Sequence, residues 1–222
     1  MRRLFQGDLL DFFIAIALCN SVRVSASDAG GRTYSADSPD EKALVEAAHR
    51  YGVSLVESSD RSCVVAAAGK RQTFKKLQTL PFDSTRKRSS VIVQDESGKI
   101  SLVCKGAESE LLSLISGEGI HETFKQIDDF AMKGLRTLVV ARKEMSQREY
   151  EEAAKRLEAA QRQVKERKDA VLKAQVGVER KLTLLGATAV EDKLQVSSFP
   201  SGEEALSDAG WRRMVWWKRS AT

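Results

Sequence analysis

Cysteine, histidine, proline and aromatic residues are all scarce in this chain, and each scarcity removes a class of function. Three cysteines, Cys19, Cys63 and Cys104, stand far apart, odd in number and without metal-ligand spacing. Neither a disulfide framework nor a zinc site is encoded, and the thiols read as reduced and cytosolic. The two histidines, His49 and His121, are equally isolated, with no paired ligand or base near either, so both read as structural or surface groups. No apolar run reaches the ~20 residues that span a bilayer. The most apolar stretch, LLDFFIAIALC from Leu9 to Cys19, is interrupted by Asp11. Arg2 and Arg3 precede it as in a signal peptide, but no small-residue cleavage site follows cleanly, and the stretch reads as a buried helix. A large excess of one charge is missing too. The 36 basic and 31 acidic residues leave a net charge of +5, too small and dispersed to require nucleic acid as a partner, though suited to an anionic ligand.

What is present is a periodic pattern. With 42% hydrophobic residues in 222, the chain can build a core for one large domain, or for one domain plus a fragment. Leu9 to Asn20 reads as the first helix, and SASDAGGR from Ser25 as a loop broken by Gly30 and Gly31. Ser38 then opens a second helix: Pro39 fits its first position, and Glu41 stands three residues after Ser38 as a capping box requires. Ala43, Leu44, Ala47 and Ala48 form its apolar stripe. From Val53 to Cys104 the period changes to two. VSLVES, SCVVAAAG, KRQTFKKLQTL, RSSVIVQDE and KISLVCK follow one another, separated by the turn signals SSD, AGK and ESGK. The spacing predicts an antiparallel meander with one polar face. Helices at about 108–115 and 121–133, and a strand from Leu135 to Arg142, come next. Residues 146–181 are highly charged and helical, with Tyr150, Leu157, Val164, Val171 and Val178 recurring every seven residues. Their partner positions Ala153, Ala160, Arg167, Ala174 and Lys181 are small or charged, too thin a seam for a stable zipper. A solvated helix or helical hairpin packing one stripe on the domain is expected, with a dimer contact as the alternative.

Five polar motifs are set among these elements: YSADSPDEKALVEAA from Tyr34, LPFDSTRKRSSVIV from Leu80, LVCKGAE from Leu102, MKGLRTLVVARKEM from Met132 and LLGATAVEDKLQ from Leu184. Each motif admits two readings from its residues alone. Phe82, stiffened by Pro81, is a stacking surface or a core side chain. Lys105, before Gly106 and a new helix, is an anion contact or a solvated lysine. Arg136 is a bidentate anion clamp or half of an ion pair. Glu41 is a hydrogen-bond acceptor in a site or a helix cap. Ser84 is a further polar contact, and Arg86, Lys87 and Arg88 form a charged turn, either solvated surface or electrostatic funnel. AAAGKR is not a Walker loop, since no Gly stands five before Gly69 and no Ser or Thr follows Lys70.

Taken together and in this order, the five motifs resemble the nucleotide-binding domain of the lipid-flipping (type-four) P-type ATPases. The resemblance runs from about Phe12 to Gln195. It implies an α+β fold, an antiparallel β-sheet flanked by helices, over 1–181. It also implies an incomplete piece of the α/β phosphorylation domain over 182–222, where Pro200 to Gly210 resembles a short helix. The resemblance implies a nucleotide site for ATP: the matching Phe82 stacks on adenine, Lys105 works against the nucleotide, Glu41 lies on the nucleotide side, and Ser84 and Arg136 are further contacts. Ser89 departs from the family, which usually has Met there. DKTGT, GDGxND and TGES do not occur in this sequence, and Asp192 cannot replace the missing acceptor. No catalytic or metal-binding residue is therefore assigned, Mg2+ being expected only in the intact parent enzyme. That parent would move phospholipid from the outer to the inner leaflet through membrane helices, at the cytosolic face of a membrane and with an accessory subunit among its partners. The chain alone is expected to be soluble and to bind ATP only. The competing expectation is an interaction protein that binds a membrane surface or partner through residues 146–181 and the tail carrying Trp211, Trp216 and Trp217 among Arg212, Arg213, Lys218 and Arg219.

Overall fold

A computed structural model describes residues 8–26, 31–116, 120–191 and 214–217. Eight strands form one antiparallel sheet in the order β10-β9-β8-β7-β6-β5-β4-β3, so each strand neighbours its predecessor in sequence. The first five are β3 (Val53–Ser58), β4 (Ser62–Ala67), β5 (Lys70–Asp83), β6 (Arg88–Gln94) and β7 (Ile100–Gly106). Their turns are built from local chemistry. Ala68 and Gly69 both take positive φ, 51° and 78°, between β4 and β5, as a two-residue hairpin with the right twist demands. Between β6 and β7, Asp95 Oδ1 accepts from the backbone of Ser97 and Lys99, at 2.9 and 3.0 Å.

Helices α3 (Glu108–Leu111), continued by a 3-10 turn at Leu112–Leu114, and α4 (Ile120–Met132) stand between β7 and β8 (Arg136–Met145). Helices α5 (Gln147–Gln161) and α6 (Arg167–Val178) stand between β8 and β9 (Thr183–Val190). On the opposite side, α1 (Asp8–Leu18) and α2 (Pro39–Arg50) are separated by a small hairpin, β1 (Arg23–Ala26) with β2 (Arg32–Ser35). The fold is α+β. The sequence reading sees only a loop between α1 and α2, because four-residue strands on an exposed hairpin carry almost no alternation.

Alternate residues of the central strands enter two cores. Val91, Val93, Val103 and Val140 pack with α1 and α2, while Ile92, Leu102, Cys104, Val139 and Ala141 pack with the helices that follow β7. The expected polar face is therefore restricted to the outer strands. β4 keeps alternation, whereas β6 and β7 are buried on both faces, since helices from both sides of the chain's middle fold back over them. The apolar run of α1 is a buried helix as read, with Phe12, Phe13 and Ile16 at most 2% exposed.

The charged stretch after β8 divides. Glu166 takes a left-handed φ of 53° at the start of α6, and α5 packs on α6 with Ala153, Leu157, Ala160 and Val178 buried. Val164, a member of the sevenfold series, is 96% exposed in the connection, so the series is not a continuous seam. The strand β9, at which the sequence reading sets its domain boundary, pairs with β8 in the same sheet. The segment read as phosphorylation-domain helix, together with Asp192, Trp211 and the basic residues around the tryptophans, lies outside the described residues. The backbone of Met214–Trp217 forms β10 against β9. Among the described residues no helix is long and apolar enough to cross a membrane.

Candidate functional site

A cleft of about 1040 Å3 opens where the C-terminal end of α1, the start of α2 and the middle of the sheet meet. Such a volume lies at the upper end of small-molecule sites, roughly 300 to 1,000 Å3. Glu41, Phe82 and Lys105 all line it, although they come from α2, β5 and β7.

Each is placed by its own local structure. Ser38 caps α2 by accepting from Glu41 N at 3.4 Å, which is half of the expected capping box. The other half is not made by the Glu41 carboxylate. Its Oε1 accepts from Lys105 Nζ at 2.9 Å, and its Oε2 accepts from Ser21 N at 2.9 Å and from Ser21 Oγ at 2.5 Å. Burial alone would raise the Glu41 carboxyl, but the Lys105 ammonium and the Ser21 hydrogen bonds outweigh it and hold the group below the usual glutamate value. Lys105 is itself only 6% exposed, an uncommon position for lysine unless it is paired.

Phe82 occupies a different setting. The β5–β6 register slips between Leu80, paired with Ser90, and Asp83, paired with Arg88, so Pro81 and Phe82 sit in a bulge. Proline has no N–H for the ladder, and bulges are where strands accept it. The bulge leaves Phe82 68% exposed, on the lining of the cleft.

The other expected site residues are placed less centrally. Arg136 is not among the residues lining the cleft; it donates to Asp40, which is, at 3.3 Å. Ser84 is exposed in the turn after β5 and also lies off the lining. Ser89, where the resembled family has methionine, lines the cleft opposite Lys105 in the β6–β7 register. His49 is exposed, with Nδ1 at 2.7 Å from Ser54 Oγ, and the side chain of His121 lies outside the described residues.

One reading is overturned. Arg86 and Arg88 are neither solvated surface nor funnel, being 2% and 4% exposed. Both bind Glu179, Arg86 Nη1 to Oε1 at 2.5 Å and Arg88 Nε to Oε2 at 2.7 Å, while Ser90 Oγ donates to Oε1 at 2.5 Å. Only Lys87 of the three faces solvent, 3.4 Å from Glu110. A run of like charges hides such burial, because the partner carboxylate follows some ninety residues later.

Sequence reasoning also passed over Ser21, Asp40 and Lys76. Lys76 lines the cleft and donates to Ser58 Oγ at 3.1 Å. None has a local signal: Ser21 follows an apolar helix, Asp40 reads as a first-turn acid, and Lys76 is one of three lysines in its strand. Gly106 does permit a close backbone approach, though the neighbour is protein. A Cβ there would stand 2.3 Å from Arg88 Cβ and 2.7 Å from Lys87 O.

Among the described residues no group of three or more His, Cys, Asp or Glu is arranged to hold a metal. The cleft instead combines an open aromatic ring, a nearly dehydrated cation and a bound carboxylate, the elements that take a ligand with a planar base and an anionic end.

Known proteins similar to this chain are phospholipid-transporting ATPases. A phospholipid-transporting ATPase of Schizosaccharomyces pombe is 40% identical over 92% of this chain and 15% of its own length. The phospholipid-transporting ATPases IH and ID of Homo sapiens are 38% and 39% identical over 92% and 83% of this chain, covering 19% and 16% of theirs. The chain thus spans less than a fifth of each of these relatives. Residues 8–197 match the family described as P-type ATPase, cytoplasmic domain N, and the chain belongs to that family.

Proposed function

We propose that this chain is the ATP-binding domain of a phospholipid-translocating P-type ATPase. The observation that carries the reading is the single cleft shared by Phe82, Lys105 and Glu41. Phe82 offers an exposed ring on which a purine can stack. Lys105 supplies a poorly solvated ammonium, paired with Glu41 at 2.9 Å, that can also donate to an anionic group of the ligand. Glu41 offers acceptors for an amino or hydroxyl group of the ligand, and its charge is already balanced by Lys105. Arg136, held through Asp40 outside the lining, and Ser84 in the adjoining turn are assigned supporting contacts with the ligand.

ATP supplies a transferable phosphoryl group; the residues here bind and orient it. The acceptor motif DKTGT and the magnesium motif GDGxND do not occur within these 222 residues, so the activity proposed for them is binding alone. In the intact pump this domain would deliver ATP to the phosphorylated aspartate, with Mg2+ held by residues outside this sequence. That cycle would drive phospholipid from the outer to the inner leaflet at the cytosolic face of a membrane, and an accessory subunit would be a partner of the whole enzyme. The names of the relatives, all phospholipid-transporting ATPases, support the choice of substrate.

Calorimetric titration of the chain with ATP tests the reading. Phe82→Ala and Lys105→Ala are each expected to weaken binding by about 1 to 3 kcal/mol, the scale of a lost stacked ring or charge-assisted contact. Equal affinity in both variants would reject the site.

A further inference from the structure

We infer that Glu179 is a positioning residue for the nucleotide cleft, holding the Pro81–Phe82 bulge in place through Arg86. The inference rests on the proposal that Phe82 is the stacking surface. A ring 68% exposed has little core around it to fix its position, so its placement must be inherited from the backbone that carries it. That backbone is tied down by one side chain: Arg86 Nη2 donates to the Pro81 carbonyl at 2.6 Å while its Nη1 donates to Glu179 Oε1 at 2.5 Å. The guanidinium is planar and its donors are fixed relative to one another, so anchoring one end orients the other.

Glu179 is well suited to be the anchor. It is the C-cap of α6 and 0% exposed, and its carboxylate also receives Arg88 Nε and Ser90 Oγ from β6. Arg88 Nη1 in turn donates to the Arg86 carbonyl at 3.0 Å, which fixes the turn from its other side. The carboxylate therefore joins three pieces of chain: the end of α6, strand β6 and the turn next to the bulge. Buried charges of this kind add little net stability compared with well-packed apolar groups. Direction is what they supply, and here it ends on the carbonyl preceding Phe82.

The test uses the full chain with 4-fluorophenylalanine in place of phenylalanine, the Phe82 fluorine resonance being assigned by its loss in Phe82→Leu. Without nucleotide, Glu179→Gln is expected to shift or broaden that resonance while the resonance of Phe13, buried in the core built with α1 and α2, keeps its position. With ATP, Glu179→Gln is expected to weaken binding roughly tenfold, as remote misplacement of a contact group does, and to have no further effect in the Phe82→Ala background. Arg86→Lys leaves the Glu179–Arg88 pair but cannot span from Glu179 to Pro81; it is expected to move the same resonance, and it decides the matter if Glu179→Gln does not fold. An unmoved Phe82 resonance in the folded variants, or losses of affinity that simply add, would overturn the inference. If the parent chain binds no ATP, the functional proposal fails, and the fluorine spectra still decide whether Glu179 positions Phe82.

Discussion

Glu41 and Phe82 show two ways in which a single residue can belong to a site. Glu41 is held by Ser21 and Lys105, and its carboxyl lies below its ordinary value of 4.5. A carboxyl lowered on folding contributes stability that is present above the unfolded value and lost as pH falls through the folded one. Acid should therefore weaken the fold as pH drops from about 4.5, and Glu41→Gln is expected to flatten that limb when urea midpoints are followed against pH. An equally steep limb in the variant would show that Glu41 contributes none of it. Phe82 is the opposite case. Its ring is mostly in water, so Phe82→Ala is expected to leave unfolding free energy within about 0.5 kcal/mol of the parent, measured by urea denaturation, even though ATP binding falls. A site residue with no role in stability is what an exposed aromatic on a bulge implies.

Strands β6 and β7 carry the next constraint. Gly106 faces Arg88 in their register, and the missing side chain is the room in which Arg88 turns inward towards Glu179. A methyl at 106 would meet backbone as well as side chain, 2.9 Å from Arg88 Cα and 2.7 Å from Lys87 O. Gly106→Ala is expected to cost about 1 to 3 kcal/mol in a urea melt, the usual scale of overpacking, and to disturb Lys105 next to it. The α5–α6 pair gives a second test of how elements are held. Leu157 is 2% exposed and Val164 is 96% exposed, although both belong to the same sevenfold series. Leu157→Ala should cost about 2 to 5 kcal/mol as a core truncation, whereas Val164→Ala should leave the thermal midpoint unchanged. Equal effects would mean the helices pack along the series after all.

Across the whole molecule, the two cores enclose the thiols. Cys19, Cys63 and Cys104 are 3%, 1% and 0% exposed. Burial pushes Cys63 up to about 11 and raises Cys19 and Cys104 as well, so little thiolate exists at neutral pH to react. A thiol reagent should leave the native chain unlabelled and modify three cysteines after unfolding in urea; rapid labelling of any thiol in the native chain would show that the cores open.

The amino-acid order by itself determined the meander, the buried first helix and the capped second helix. These depend on alternation, on turn residues such as Ala68 and Gly69, and on a Ser38–Pro39 start, all of which act over a few positions. It also pointed to Glu41, Phe82, Ser84, Lys105 and Arg136, but only through the resemblance of the five motifs taken together, since each residue alone admits a structural reading. Tertiary structure alone decided that Glu41, Phe82 and Lys105 face one cleft, that Arg136 stands beyond it on Asp40, and that Arg86 and Arg88 are interior. The physical reason is that a buried charge is determined by its partner, and Glu179 lies 93 and 91 residues from those arginines. No local pattern can anticipate a pairing that exists only after α6 has folded back against β6.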